Sequence, residues 1–512
     1  MIGRDMAKYK RYDYSQQVLI PVSLQEQLIP GTLEFAIHTL VESRVDTSIF
    51  DDRYQNDETG RLAYDPKILL KIVLLGYSRG LVSSRKIERA CRENVTFMAL
   101  CCGQQPDHST IATFVSCMKD EIMPLFRDVL LVCEEMKLLG GTFFALDGSK
   151  LPSNASKECS GKHSDLNRKR GKIEKKVEQL LKEQEEADKR DDDQDGGSSG
   201  LSNRKKQIER LKKKAERIEK FLKDNDPKIG RVGKEIKSNV TDNESANMLT
   251  SHGTIQGYNG QALVDKTHQV IVHAEAFGES QDQHHIPPML DGAKENMEAI
   301  GQGGDYFEDK ILVADVNYHG PENLNRCEDE HLDAYIPDKD FRKRDPRFAT
   351  QERWSSKKSK QFTLKDFQYN EATDEYICPH GKSLKRKAKK IIRDGIIARL
   401  YMADEGDCRD CKLRSQCLRG KKARRRSLSV PMGWVSGNRT KEMAQKIDTE
   451  EGRNIYHQRI AIVEPVFANI RSVKRLDRFT LRSKLKVNIQ WVLYCMVHNI
   501  EKIMNYGFAY QE

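Results

Sequence analysis

Two aspartates directly follow short apolar runs, in positions where a carboxylate could bind a metal ion. Asp147 follows the run Phe-Phe-Ala-Leu at 143–146, and Asp315 follows the run Ile-Leu-Val-Ala at 311–314. Neither run has helical spacing, so each predicts a buried strand, and Gly148 is expected to end the first strand. A carboxylate at the margin of an apolar core needs a partner to offset its desolvation. A divalent cation shared by both aspartates is therefore the predicted partner.

The segments around these aspartates predict an α/β fold with a mixed sheet. Residues 258–265 and 269–277 have the pattern of adjacent strands that turn at 266–267, and a helical segment runs from 284 to 290. With the two runs that lead to the aspartates, the order is strand, strand, strand, helix, strand. By analogy, this order resembles the ribonuclease-H-like fold, with an acid after the first and fourth strands.

The N-terminal part of the chain, up to residue 139, has a helical pattern with capping residues. Pro66 opens a buried helix, and Asp107 caps another. Between them, Ser83 or Ser84 caps a helix that runs toward residue 100. Five basic residues crowd one junction of these helices: Arg79, Arg85, Lys86, Arg89 and Arg92. This cluster of basic residues is typical of DNA binding of the helix-turn-helix type. An all-helical packing or dimerisation domain would explain the same residues equally well.

A strongly polar stretch at 167–226 interrupts the core and carries two heptad patterns. One pattern includes Ile173, Val177 and Leu180, and the second lies at 208–222. The acidic and glycine-serine segment at 191–200 predicts a flexible link between them. The stretch therefore predicts an antiparallel helical hairpin, either a solvated arm or a contact with a partner subunit or DNA.

Four cysteines have the types and spacing of a structural zinc site. Their motifs are Cys-Pro-His-Gly and Cys-x-x-Cys-x5-Cys, which contain Cys378, Cys408, Cys411 and Cys417. Four thiolates can close a tetrahedral zinc site, and His380 is a substitute ligand because the first pair is incomplete. Unliganded cysteines are the alternative.

Basic runs flank the cysteines at 382–393 and 421–426, with Tyr401 and Trp434 nearby. Lysine and arginine bind a phosphate backbone without reading its sequence. This region therefore predicts contact with nucleic acid.

A helix near the C-terminus, at 454–471, carries one glutamate whose role its spacing does not define. The pattern predicts a buried apolar stripe formed by Val463, Phe467 and Ile470. Glu464 and Arg471, seven residues apart, share another face. A single glutamate on a helix is normally a surface residue. Pro465 is expected in the first turn or at a kink.

The composition is that of a moderately basic chain with several domains. Its 512 residues suit roughly two to four domains, and 87 lysines and arginines against 77 acids give a net charge of +10. No uncharged apolar run approaches the ~18 residues needed to span a bilayer, and no signal peptide is evident. Twelve cysteines without a secretion signal favour free thiols and a metal site over disulfides. We expect a soluble, intracellular protein.

Four groups of residues, taken in order, resemble the DDE transposases of bacterial insertion sequences. The stretch 61–114 resembles the family's N-terminal domain, Leu-Asp-Gly-Ser-Lys at 146–150 its first acidic motif, and Ala-Asp-Val-Asn-Tyr at 314–318 its second. The third motif of the family, Tyr-x-x-Arg…Glu…Lys, is matched by Tyr456, Arg459 and Glu464. A cysteine-bearing insertion also recurs in one branch of the family.

Two residues depart from the family pattern. Arg471 stands where the signature usually has lysine, which keeps the charge but changes the geometry of phosphate binding. Asn317 stands where a small residue, commonly glycine, is more usual. Neither departure removes an acidic residue, so the resemblance implies an active enzyme.

The resemblance implies a metal-dependent polynucleotidyl transferase that acts on double-stranded DNA. Two Mg²⁺ or Mn²⁺ ions, about 3.5 to 4 Å apart, would be held by Asp147, Asp315 and Glu464. The phosphates of the transposon ends would be positioned by Tyr456, Arg459 and Arg471. Hydrolysis at the ends would precede strand transfer into target DNA, carried out by a homodimer on the bacterial nucleoid in the cytoplasm.

Two other functions suit the same residues. A non-integrating metal-dependent nuclease would keep the three acids, and a catalytically inactive or domesticated DNA-binding protein would keep the basic helices and the cysteines. The domains predicted from the sequence are a helical DNA-binding or dimerisation domain at 1–139, a catalytic domain at 140–335 and 437–512, a coiled-coil hairpin at 167–226, and a basic cysteine-rich insertion at 336–436.

Overall fold

The structure, a computed structural model, describes residues 23–53, 62–191, 198–230, 233–251, 253–348, 362–393, 396–418, 420, 423–434 and 439–507. It divides into two compact units. The first unit comprises Met1–Leu138, Leu151–Tyr258 and Ala468–Glu512, and the second comprises Leu139–Lys150 and Asn259–Phe467. Some predicted features lie outside the described residues: residue 61 of the N-terminal match, most of the 191–200 link, and Lys421 and Lys422.

The described helices, in chain order, are α1 (Leu33–Ser43), α2 (Pro66–Ser78), α3 (Ser84–Glu93), α4 (Val95–Leu100), α5 (His108–Ser116), α6 (Ile122–Glu135), α7 (His163–Asp191), α8 (Ser198–Asp224), α9 (Ile286–Ala299), α10 (Pro321–Asp329), α11 (Phe341–Arg344), α12 (Glu405–Arg409), α13 (Arg414–Cys417), α14 (Arg439–Asp448), α15 (Glu450–Ala468) and α16 (Lys484–Tyr506). None of them combines the length and apolar character that crossing a lipid bilayer requires.

The described strands, in chain order, are β1 (Phe143–Pro152), β2 (Ser160–Gly161), β3 (Ser238–Asn239), β4 (Ala246–Thr250), β5 (Gly253–Asp265), β6 (Ile271–Phe277), β7 (Ile311–Ala314), β8 (Asp333–Tyr335), β9 (Gln368–Asn370), β10 (Glu375–Ile377), β11 (Ser383–Arg393), β12 (Ile396–Ala403) and β13 (Ser427–Trp434).

Side-chain caps begin several helices of the first unit, although the predicted serine cap of α3 is not formed, since Ser83 makes no capping hydrogen bond. The Asp65 side chain accepts a hydrogen bond from the Lys67 N–H at the start of α2, and Asp107 caps α5 as predicted. The single helix predicted from Ser83 or Ser84 toward residue 100 is wrong. It breaks at Asn94, whose backbone is extended and whose side chain accepts the N–H groups that open α4. A strong N-cap residue inside an apolar pattern therefore divides the segment into α3 and α4.

Two long helices, α7 and α8, occupy the polar stretch of the first unit. Near the base of the pair, Leu166 packs with Ile218 and Phe221. Further along, Val177 and Leu180 pack with Ile208 in a second apolar cluster. Because early residues of α7 meet late residues of α8, the two helices run antiparallel.

A mixed sheet forms the centre of the second unit, with neighbours in the order β6-β5-β1-β7-β8. Strands β5 and β6 pair antiparallel, whereas β1 with β7 and β7 with β8 pair in parallel. The first residues of β5 belong to the first unit, where they pair with β4. The mixed sheet and the helical N-terminal part confirm the predicted α/β class.

Strand β1 does not end at Gly148, as the sequence predicted, but continues to Pro152. A Cβ atom on Gly148 would overlap the side-chain amides of Gln261 and Asn259. The glycine therefore permits a close approach between neighbouring strands and does not mark a strand end. Asp147 consequently lies within the strand, directly after its most deeply buried part.

The cysteine-rich stretch of the second unit forms a five-stranded antiparallel sheet, in the order β13-β12-β11-β10-β9. Its small core contains Phe367, Leu384, Tyr401 and Leu428, with three of the four predicted zinc ligands packed against it. The cysteine cluster was predicted from the sequence, but this sheet was not. Strand β11 carries six lysines and arginines and was interpreted as a basic run, and β9 and β10 have only three residues each.

Candidate active site

The parallel pairing of β1 and β7 brings the two predicted aspartates together. Phe143 pairs with Ile311, and the register continues to Leu146 opposite Ala314. Asp147 and Asp315 are therefore the next residues on two neighbouring parallel strands, at the same edge of the sheet. Both are partly exposed, so their oxygens can reach a ligand from solvent.

Asp147 lies in an electrostatic environment that favours a bound cation. Burial and, to a smaller extent, the negative charge of Asp315 raise its pKa, while Arg459 and the Gly148 N–H lower it, and together these effects raise the pKa to about 6. One oxygen, Oδ1, accepts the Gly148 N–H at 2.8 Å, and Oδ2 accepts Arg459 Nη1 at 2.6 Å. In this structure the Arg459 guanidinium supplies the positive charge that the carboxylate needs.

The side chains of Arg459 and Tyr456 lie together on one side of helix α15. Their sequence spacing alone did not show that they share a face. Arg459 is 8% exposed, and the Tyr456 side chain is hydrogen-bonded to it. Burial raises the pKa of Tyr456, whose ring packs edge-to-face on Phe341 with centroids 5.4 Å apart. Tyr456 and Arg459 therefore lie on the side of the helix that faces Asp147.

Glu464 lies on the same helix but is exposed. It follows Arg459 by five residues, which places it on a different side of an α-helix with 3.6 residues per turn. Pro465 lies inside the continuous helix and not in its first turn. Among the described residues, no three acidic, histidine or cysteine side chains are grouped to hold one metal ion. The structure thus brings Asp147, Asp315, Tyr456 and Arg459 together, but not Glu464.

Arg471 lies in a π-helical turn, Asn469–Val473, that belongs to the first unit. Its side chain is exposed. The face that Arg471 was predicted to share with Glu464 is therefore open to solvent at both positions.

A buried carboxylate that the sequence analysis missed, Asp282, lies close to this site. It is 8% exposed, and its Oδ1 accepts Asn259 Nδ2 at 2.6 Å and Gln261 Nε2 at 3.0 Å. Burial raises its pKa, and the charge of Asp315 adds to the effect. The available signal was the alternation of Asn259 and Gln261 in an otherwise apolar strand, because two buried amides on one strand face require polar partners.

The amides held by Asp282 connect the two strands that carry the aspartates. Gln261 Oε1 accepts the hydroxyl of buried Tyr318, which lies in the turn directly after Asp315. The same amide lies against Gly148, next to Asp147. The Asn259 Oδ1 atom is buried without a hydrogen-bond partner among the described residues. A polar network therefore joins β5 to the turn after Asp315 and packs against Gly148, next to Asp147.

The four predicted zinc ligands line one small cavity of about 30 Å³, together with exposed His380. Burial raises the pKa of the Cys417 thiol, and the charges of the other three cysteines also raise it, while Arg426 lowers it. The Lys382 N–H donates to Cys378 Sγ at 3.4 Å. The thiols converge, although they are not arranged as ligands of one ion.

The basic run at 382–393 lies largely on exposed β11. Tyr401 is 1% exposed, and its hydroxyl donates to Asp374 at 2.7 Å. The ring of Tyr401 is therefore part of the small core and not of the exposed basic surface. The side chain of Trp434 lies outside the described residues.

Two family models match separate parts of the chain. Residues 22–117 match a model described as a transposase domain (DUF772), and residues 377–504 match one described as a transposase DDE domain. The second match includes the four cysteines, Tyr456, Arg459 and Glu464, whereas Asp147 and Asp315 lie outside both. A search of curated proteins found no match. Together, the two matches to transposase domains indicate a DDE transposase of the insertion-sequence type.

Proposed function

We propose that this transposase cuts the ends of its mobile element and joins them to target DNA, by phosphodiester hydrolysis followed by transesterification. The observation that carries the proposal is the pairing of Asp147 and Asp315 on adjacent parallel strands, with Arg459 beside them. The DNA substrate places the reaction on the bacterial nucleoid, in the cytoplasm.

The catalytic fold that we propose is ribonuclease-H-like. The strands of the mixed sheet follow one another along the chain as β1, β5, β6, β7 and β8. Across the sheet they lie in the order β6, β5, β1, β7, β8, so the first three are reversed. The antiparallel pair of β5 and β6 and the parallel pairs on the other side of β1 support this assignment.

The residues at the site suit hard divalent cations such as Mg²⁺ or Mn²⁺. Asp147 and Asp315 offer carboxylate oxygens, the ligand type these ions prefer, and a bound cation would offset the burial that raises the pKa of Asp147. We assign the third carboxylate to Glu464. When bound, the cations would activate the attacking oxygen and stabilise the leaving oxygen.

The chain's own cations would orient the DNA. A guanidinium binds phosphate oxygens with two parallel hydrogen bonds. Arg459 now neutralises Asp147, and a cation at the carboxylates would leave its guanidinium available for a phosphate. Tyr456 would hold Arg459 in place, and Arg471 would add a second contact with the DNA backbone.

A joining assay tests the proposed reaction. Labelled duplex carrying the ends of the flanking element is incubated with target plasmid and Mg²⁺, and the products are separated on a denaturing gel. We expect both cleaved ends and ends covalently joined to the plasmid. Cleavage without joining would indicate a nuclease, and binding without cleavage would indicate a DNA-binding protein.

Protons should compete with a divalent cation at Asp147. Because its pKa is raised to about 6, the metal-free protein holds a proton there at pH values where an ordinary aspartate is ionised. We therefore expect the apparent affinity for Mn²⁺ to fall as the pH drops below 6 and to be constant above pH 7. Calorimetric titration with Mn²⁺ from pH 5 to pH 8 measures this.

The matched variant for that titration is Arg459→Gln. The Arg459 charge lowers the pKa of Asp147, so its removal should move the loss of Mn²⁺ affinity to higher pH. An affinity that stays constant down to pH 5 in the wild type would contradict the assignment of Asp147 as a ligand.

We propose structural zinc for the cysteine cluster. Four thiols that line one cavity form a suitable donor set for zinc, and the Lys382 N–H already contacts one of them. We expect roughly one zinc ion per chain by elemental analysis, and near-complete loss of it in Cys408→Ser/Cys411→Ser. Cys117→Ser, which alters an exposed thiol of the first unit, is the control. Equal zinc content in all three proteins would refute the site.

The domain functions predicted from the sequence remain proposals. They are DNA binding or dimerisation for 1–139, catalysis for 140–335 and 437–512, a coiled-coil insertion at 167–226, and zinc-stabilised DNA contact for 336–436. A homodimer that holds two transposon ends completes the proposed assembly.

A further inference from the structure

A groove rich in basic residues runs along the helical hairpin within the first unit. One part, of about 280 Å³, lies against α8, and an adjoining part of about 690 Å³ extends toward the segment before α16. Arg217 and Cys159 line both parts, so the two parts adjoin, and we call them together the groove. Eight of the described lining residues are lysine or arginine, and one, Glu158, is a carboxylate.

Helix α8 contributes one basic edge of this groove. Arg210, Lys214 and Arg217 follow one another at intervals of four and three residues, which places them on one face of the helix. From first to last they span about 10 Å of helix, at 1.5 Å per residue. All three are exposed, and within the described part of the chain they form no ion pair.

The far end of the groove carries two further arginines, Arg478 and Arg482. Arg482 is held in position, because its Nε donates to the Asn154 carbonyl at 2.7 Å. Asn154 Nδ2 in turn donates to the Thr480 carbonyl at 3.1 Å. Arg478 is exposed and makes no ion pair with any described residue. The arginines thus extend the positive charge of α8 across the unit.

At the basic junction near α3, three of the five basic residues have carboxylate partners. Arg79, Arg89 and Arg92 each pair with a glutamate of the same unit. The basic face of α8 lacks such partners, because Arg210, Lys214 and Arg217 line a groove in which the described residues include one carboxylate. Such concentrated charge costs self-repulsion unless an anion neutralises it.

We propose that this groove binds the sugar-phosphate backbone of duplex DNA, which assigns the helical hairpin a DNA-holding role. The inference rests on the proposed function, because it takes the enzyme's own substrate as the ligand. A basic face of about 10 Å matches the axial rise of about three base pairs, at 3.4 Å per phosphate of one strand. The contacts would be independent of base sequence, since lysine and arginine here would meet phosphates only.

Binding of a generic 30-base-pair duplex to the full-length protein tests the proposal. Fluorescence anisotropy, at several salt concentrations, compares the wild type with Arg210→Gln/Lys214→Gln/Arg217→Gln. We expect the triple variant to bind at least tenfold more weakly, and the slope of log K against log salt to fall by about 2 to 3, since each lost phosphate contact removes about 0.9.

A matched variant controls for net charge. Lys205→Gln/Lys212→Gln/Lys223→Gln removes the same charge from exposed positions on another side of α8 that do not line the groove. We expect it to retain wild-type affinity within about twofold, with the salt slope reduced by less than 1. Equal losses in the two triple variants would mean that overall charge alone attracts DNA, and the proposal would be wrong.

Two further outcomes would overturn the proposal. If the groove variant bound single-stranded 30-mers more weakly than the wild type but bound the duplex equally well, duplex DNA would be the wrong ligand. If the groove variant dissociated a dimer seen by light scattering but kept its DNA affinity, the groove would bind a second copy of the chain.

Failure of this inference can be told from failure of the proposed function. A wild type that joins ends to target, together with a groove variant of unchanged DNA affinity, refutes the groove alone. A wild type that neither cuts nor joins DNA refutes the proposed reaction.

Discussion

Asp147→Asn and Asp315→Asn should each lower the rate of DNA-end cleavage by on the order of 10³-fold or more, with DNA affinity unchanged. An amide keeps the size of the side chain but removes the negative charge that a divalent cation requires. Both residues directly follow the paired residues of β1 and β7, so each substitution acts at the same end of this pairing. Single-turnover cleavage of a labelled end with Mg²⁺ measures the rate.

The control for these variants is Glu308→Gln, which removes one exposed carboxylate of the same unit. It should cleave at the wild-type rate. If either aspartate variant kept more than about a tenth of the wild-type rate, the corresponding carboxylate would not be a ligand of the catalytic cation. Retained anisotropy with labelled duplex would show that the variants still fold and bind.

Glu464→Gln should cause a loss of cleavage as large as the aspartate substitutions do, although Glu464 is exposed. If the family's motif has its usual role, the third carboxylate comes from α15, and Glu464 is the residue of α15 that matches it. Because the side chain is exposed, the stability of the fold should change by less than about 0.5 kcal/mol. Thermal unfolding beside single-turnover cleavage separates the two effects.

Asp282→Asn is the informative comparison for Glu464. Asp282 orients Asn259 and Gln261 and does not itself bind the cation in the proposed site. Its substitution should therefore lower the rate of cleavage by only about 10- to 100-fold, less than the loss of a ligand does. Asp282→Asn can restore part of the network by turning its amide, whereas Asp282→Ala cannot, so the alanine variant should be slower. If Glu464→Gln stayed active while Asp282→Asn lost 10³-fold or more, Asp282 would be the third acid.

The two apolar runs predicted their strands because buried parallel strands read as continuous apolar sequence. Periodicity also predicted the hairpin helices and the C-terminal helices, since a stripe at 3.6-residue spacing reflects burial of one face. It missed the break at Asn94, where a side-chain cap competes with a helical pattern. The sheet at 368–434 was missed because β11 has the pattern of a basic run and β9 and β10 are only three residues long.

Some features of the site depend on residues far apart in the chain. Asp282 is 21 residues beyond Gln261, its hydrogen-bond partner, and Tyr318 is 57 residues beyond Gln261. Arg459 is 312 residues from Asp147. Hydrogen bonds require atoms within about 3 Å, and no local pattern specifies such distances. The need for glycine at position 148 likewise depends on the side-chain amides of Asn259 and Gln261, which come from another strand.

By itself, the sequence determined which chemistry is possible here. Two aspartates at the margin of an apolar core, four cysteines at zinc spacing and blocks of arginine and lysine are properties of residue type and short-range order. The tertiary structure decided which of these groups meet. It placed Asp147 beside Asp315 and Arg459, left Glu464 exposed, buried Tyr401 and gathered the arginines of α8 along a groove. The physical reason is that burial and pairing depend on neighbours from other segments, and only the folded chain brings those segments together.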